Sequence, residues 1–162
     1  MVEIYMEIHR ATQVGVIYVG ESLLIGNLMA IKEMATMIKF RAWYMPFGKY
    51  GAMQEMVFSR ASHILALAET EPEKYIPEQF TGLKDVNGKD IYDGDIVSVF
   101  NEDGNYYNDV IEWCIKYNYP AFELKYHSHL YESNALSEIM NAGVENIKVI
   151  GNAHENPELL KG

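Results

Sequence analysis

The chain has 162 residues, 49% of them hydrophobic, with 13 Lys and Arg against 23 Asp and Glu and a formal net charge of −10. That length and apolar share fit one globular domain, with or without an extension, and exclude a mostly disordered chain. The acidic excess argues against binding to a nucleic-acid phosphate backbone or an anionic membrane, which both need clustered cations, and the single Cys114 excludes an internal disulfide or a Cys-rich zinc site.

Residues 1–36 are predicted to hold two short strands, on the alternation of Val2, Ile4, Met6 and Ile8 and on Val14–Val19, before a short helix over Leu28–Met37. Met1-Val2-Glu3-Ile4 has no basic segment leading into an apolar one and does not read as a signal peptide. No run of about 18 apolar residues occurs to span a bilayer, and the cytoplasm is the expected compartment. The pattern sharpens at Ile38. Ile38–Trp43 alternates apolar residues with Lys39 and Arg41, as a half-buried strand does. Met45–Gly51 is a loop by its Pro and two Gly, and Ala52–Ser59 is the return strand of a hairpin. Ser62–Ala68 reads as a short helix, broken by Glu69–Glu73. That acidic stretch, with Pro72 and Pro77, is the best linker in the chain.

Beyond Gln79, Asn87-Gly88 predicts a hairpin turn because both residues tolerate positive φ. Asp93-Gly94-Asp95 is a second turn, followed by a strand over Ile96–Phe100, a turn at Glu102–Asn105 and a strand over Val110–Ile115. Asn118–Pro120 turns the chain into a strand over Ala121–Tyr126. Ser133 is the expected N-cap of a helix over Asn134–Asn141 that Gly143 stops. Ile147–Ile150 is the last strand, and Asn156–Leu160 a terminal turn. Short strands and turns at close spacing point to a small barrel or sandwich. The expected class is mainly β with minor α: a hairpin and short helix in 37–76, then a small SH3-like β-barrel in 77–162.

Gln79–Asp85, Asn87–Lys89, Ile91-Tyr92, Gly94–Val97, Val149–Asn152 and Glu155–Leu160, in that order, resemble the YopX family, found largely in phages and prophages of Gram-positive bacteria. Lys39–Trp43 matches the Lys-Phe-Arg-Ala-Trp block with which its members usually begin. The resemblance covers about Met37 to Leu160. It implies a mainly β fold with an SH3-type barrel in the C-terminal part, and no assigned activity. The motif residues Gly82, Asn87, Gly88, Gly94, Asp95, Gly151 and Asn152 are read as turn formers. Tyr44 stands where the family usually has Asp, and residues 1–36 have no counterpart in the usual family start. Lys32-Glu33 can be encoded as a ribosome-binding sequence just upstream of Met37, so the start of translation stays open between Met1, Met34 and Met37. The acidity belongs to the family-like part, because residues 1–36 hold only four of the acids and two of the bases.

The chemistry-bearing residues form no complete catalytic set. Asp85, Asn87, Asp90, Asp93 and Asp95 fail the EF-hand pattern, since Asp90 stands where Gly is required and Ile96 where the bidentate Glu belongs. They are expected to shape turns. His127 and His129 would share a face on a strand, with His154 or Glu132 able to complete a metal site, but no spacing specifies a third ligand. They are read as solvated strand-end histidines. Cys114, between Trp113 and Ile115, is expected to act as a small hydrophobe. No phosphate-cradling Gly loop, nucleophile elbow or His-Glu-x-x-His run occurs. No catalytic, cofactor or metal residue is therefore assigned. The aromatics Tyr106, Tyr107, Trp113, Tyr117, Tyr119 and Tyr126 are the candidate interaction surface. The expected function is that of a non-enzymatic accessory protein with a protein partner, with self-association left open. Two alternatives stay open: an acidic nucleic-acid mimic, and a small metal-dependent or Cys/His hydrolase.

Overall fold

The computed structural model describes residues 38–104, 106–115 and 120–161. The strands and helix predicted before Ile38, the turn at Asn118, Tyr117 and Tyr119 lie outside those residues. The chain divides into two units, Met1–Met37 and Ile38–Gly162, and every element below belongs to the second. That unit is mainly β with two helices. In order it holds β1 (Phe40–Tyr44), β2 (Glu55–Phe58), α1 (Ala61–Thr70), β3 (Tyr75–Lys84), β4 (Asp90–Tyr92), β5 (Asp95–Asn101), β6 (Tyr106–Cys114), β7 (Ala121–Leu124), α2 (Ala135–Ala142) and β8 (Glu145–Asn152). Short 3-10 turns occupy Ser128–Leu130 and Pro157–Leu160. None of the described helices is long and apolar enough to cross a membrane.

The strands form two four-stranded antiparallel sheets, ordered β2-β1-β3-β4 and β7-β6-β5-β8. The main core lies on the inner face of the second sheet. Val97, Val99, Ile111, Leu124, Ile147 and Val149 meet Leu136 and Ile139 of α2 there, and Ile91 of β4 joins them. Each such side chain contributes roughly 1.5–3 kcal/mol when fully buried. Helix α1 packs on β1 and β3 and buries Ile64.

The stretch read as a linker ends early, because Pro77 lies inside β3. The Phe80 amide donates to the Lys39 carbonyl, so alternate residues of β3 face β1 with their hydrogen-bonding groups and Pro77, opposite Ala42, does not. Its missing N–H points to the other side, where β4 pairs only between Phe80 and Lys84. Gly82 is likewise inside β3 and not in a turn, at φ 89°. There the inward phase passes from Glu78 and Phe80 to Leu83, and the register with β4 shifts, as at a bulge.

The Asn87-Gly88 turn differs from the expected form. Gly88 has φ 79° while Asn87 keeps negative φ, and the Gly88 amide donates to the Asp85 carbonyl. This is a type I turn closed by a left-handed glycine. Helix α2 is capped by Asn134 in place of Ser133: the Asn134 side chain accepts from the Ser137 amide at 2.9 Å, while Ser133 bonds to Glu138. Gly143 ends it at φ 66°.

Candidate functional site

Four residues from four strands meet between the two sheets. Arg41 (β1), Glu78 (β3), Asp95 (β5) and Asn152 (β8) are all buried. Arg41 Nε donates to Glu78 Oε2 at 2.7 Å, and Nη2 donates to Asp95 Oδ1 at 2.5 Å. The Asn152 amide donates to both Glu78 oxygens at 3.0 Å, and Asp95 Oδ2 accepts from the Tyr92 amide at 2.8 Å. The guanidinium lies 4.5 Å above the Tyr92 ring. A planar fork with five donors can bind two carboxylates at once, which an ammonium cannot match in geometry. The junction thus ties the Lys39–Trp43 block to the Gly94-Asp95 and Gly151-Asn152 motifs.

Three motif residues do more than form turns, although Asn152 also opens the turn after β8, accepting from the Asn156 amide at 2.8 Å, and Asp95 closes the β4–β5 turn by accepting from the Tyr92 amide. Asp95 opens β5 and Asn152 closes β8. Gly151 lies within β8, where a Cβ would stand 2.8 Å from Asn156 Oδ1 and 2.8 Å from Leu159 Cδ1, so the C-terminal 3-10 turn packs these two side chains against its bare backbone. Gly94 does sit in the β4–β5 turn, at φ 78°, and a Cβ there would stand 2.6 Å from Glu78 Oε1. Its backbone also accepts from the Ala153 amide and donates to the Ile111 carbonyl, both at 2.8 Å.

One cation serves two carboxylates here. Burial pushes Glu78 up from 4.5 to about 6, against the pull of Arg41 and Asn152. His154 Nε2 lies 3.7 Å from Glu78, stacked on Trp43 at 5.7 Å. Burial, then Lys49 and Arg41, hold that imidazole below its ordinary 6.5, so it carries little charge at neutral pH. A carboxyl raised in the fold adds stability below its unfolded value, and that contribution is lost as pH rises through the folded value. Wild type minus Glu78→Gln stability, from denaturant unfolding, should therefore fall as pH rises from 4.5 through 6. A difference that stays flat over that window would contradict the assignment.

Three further buried carboxylates clamp turns. Asp85 accepts from the amides of Asn87, Lys89 and Val149, which joins the β3–β4 turn to β8. Burial opposes its ionisation, but those three amides outweigh it and hold the group below its ordinary range. Glu123 accepts from the Ala135 amide and the Asn134 side chain at the start of α2. Asp109 accepts from the amides of Tyr126 and His127 and bonds His127 Nδ1 at 2.8 Å. The acidic excess is thus partly internal: Glu78, Asp85, Asp95, Asp109 and Glu123 are all buried.

The candidate aromatics are divided among separate places. Tyr106 is 72% exposed on the outer face of the second sheet, opposite Phe100. Together with Ser98, Gly104, Lys148 and Ile150 they line a groove of about 420 Å³. Tyr107 turns inward, and its hydroxyl meets that of Tyr131 at 2.5 Å. Trp113, 51% exposed, meets Phe122 edge-on at 4.9 Å. Tyr126, 53% exposed, lies beyond the end of β7. Tyr44, at the position where Asp was expected, stacks on Tyr75 at 4.7 Å.

His127 and His129 are not on a strand, because β7 ends at Leu124. They flank Ser128 in the 3-10 turn, with ring centroids 6.4 Å apart. Cys114 is half-buried at the end of β6, in register with Ala121. Sequence reasoning missed Glu78 and Asp109. Asp109 had a signal: it shares the inward phase of β6 with Tyr107 and Ile111.

The family model described as YopX protein matches residues 33–161. The chain therefore belongs to the YopX family. No curated protein matches it. A solved chain titled "Crystal structure of protein EF1440 from Enterococcus faecalis" is similar at 23% identity, covering 76% of this chain and 97% of that one, with a TM-score of 0.44.

Proposed function

We propose that this YopX protein is a phage-type cytoplasmic accessory protein that acts by binding another protein through the outer face of its second sheet. The observation that carries this reading is the groove beside Tyr106, where a large aromatic side chain is left 72% exposed on a rigid sheet. Exposed aromatics on such a scaffold are the usual anchors of protein contacts. The polar motif residues are engaged in internal bonds, which favours a contact surface over a catalytic centre. The short strands and tight turns, and the Val86 amide bonded to the Ile147 carbonyl, support reading the C-terminal part as a small barrel of SH3 type.

The test is affinity capture from infected or lysogenic cells with wild type and Tyr106→Glu, identified by mass spectrometry. A specific partner should be recovered with wild type and lost with Tyr106→Glu, whose exposed position leaves the fold intact by circular dichroism. Equal recovery with both proteins, or no specific partner, would refute the reading.

A further inference from the structure

The corner after β7 holds its two histidines in a defined arrangement. His127 Nδ1 lies 2.8 Å from an oxygen of Asp109, a carboxylate with no exposure of its own. His129 Nδ1 lies 3.0 Å from the Tyr126 carbonyl oxygen. A carbonyl can only accept, so Nδ1 of His129 carries the proton and its Nε2 holds the lone pair. The Asp109 carboxylate, which also accepts from the Tyr126 and His127 amides, imposes the same tautomer on neutral His127. Both rings therefore present Nε2 as a donor atom. The Tyr107 ring, 4.1 Å from His127, fixes that imidazole from one side.

A metal-ligating imidazole nearly always gives its other N–H to a carboxylate or a backbone carbonyl. One histidine here has the first partner and its neighbour has the second. The ring centroids are 6.4 Å apart and the planes are 24° from parallel. With metal–nitrogen bonds of about 2.0–2.1 Å, two imidazoles on one tetrahedral ion have centroids roughly 5 Å apart. The rings here stand about 1 Å wider than that, so sharing an ion requires the exposed His129 to turn toward His127. We propose that His127 and His129 bind one divalent transition-metal cation of the Zn²⁺, Ni²⁺ or Cu²⁺ class through their Nε2 atoms. Among the described residues no group of three or more His, Cys, Asp or Glu side chains is placed to hold a metal. Water, or a donor from a bound partner, completes the coordination shell. Two neutral imidazoles select these borderline cations over Ca²⁺ and Mg²⁺, which require oxygen ligands.

The probe is Zn²⁺ alone, titrated into the full chain by calorimetry, with thermal unfolding as a second readout. Wild type should bind saturably and gain in Tm, since the ion binds the folded form. His129→Gln and His127→Gln should each weaken the site by about tenfold or more and remove the Tm gain, while His154→Gln should leave both unchanged. His129 is exposed and does not touch Asp109, so its variant keeps the fold and remains decisive if His127→Gln does not. No saturable binding by wild type, or unaltered affinity in His129→Gln, would overturn the site.

Discussion

Replacing Arg41 with Met should destabilise the protein by about 3–5 kcal/mol, read from the midpoint of denaturant unfolding. Methionine keeps much of the apolar stem, so lost packing is a small part of the effect. The larger part is the stranding of Glu78 and Asp95, both buried and both partnered by the guanidinium. Solvent cannot reach either carboxylate to replace the lost partner, and removing one member of a buried ion pair leaves an uncompensated charge. Arg41→Lys should recover only part of the loss, since one ammonium cannot reproduce two directed bonds to two carboxylates. A loss below about 1 kcal/mol in Arg41→Met would mean that the cluster is solvated in the working protein, as surface ion pairs are.

The second large effect is expected at Asp109. Asp109→Ala removes the acceptor for the Tyr126 and His127 amides and for the His127 ring. These donors are part-buried, so each left without a partner costs about 1 kcal/mol, at the low end of the range for buried groups, and a total near ~3 kcal/mol is expected. Amide hydrogen exchange adds a local signature. The amides of Tyr126 and His127 should lose protection well before those of β5, whose bonds lie in the core of the same sheet. Uniform loss of protection would show that the carboxylate supports the whole domain and not that corner.

Much of the strand order was legible because it rests on short-range signals. Ile96–Phe100 shows itself by β-branched alternation, and Gly143 stops α2 in the left-handed conformation its sequence position suggests. Boundaries moved where a local cap competes: Asn134 takes the N-cap from Ser133 because its amide also reaches the Phe122 carbonyl and Glu123. The buried junction was not legible. Arg41, Glu78, Asp95 and Asn152 each look like surface residues in their own segments, and only the pairing of β1 with β3 and of β5 with β8 brings them together. No local pattern reports a contact such as Glu78 to Asn152, which spans 74 residues of chain. The histidine pair was visible as a spacing, but its orienting carboxylate, 18 residues upstream of His127, was not.

The net charge of −10 changes meaning once the fold is known. Read as composition it describes a solvated acidic surface. In the structure, Glu78, Asp85, Asp95, Asp109 and Glu123 form the internal fastenings of turns and sheets. The motifs that identify the family are to that extent motifs of assembly, and the function is sought on the faces they leave free.

A double-mutant cycle between Arg41→Met and Asp95→Asn tests this most directly. If the two residues form one buried junction between the sheets, the double variant should be more stable than the sum of the single losses implies, by about 1–3 kcal/mol. Losses that add without coupling would contradict it.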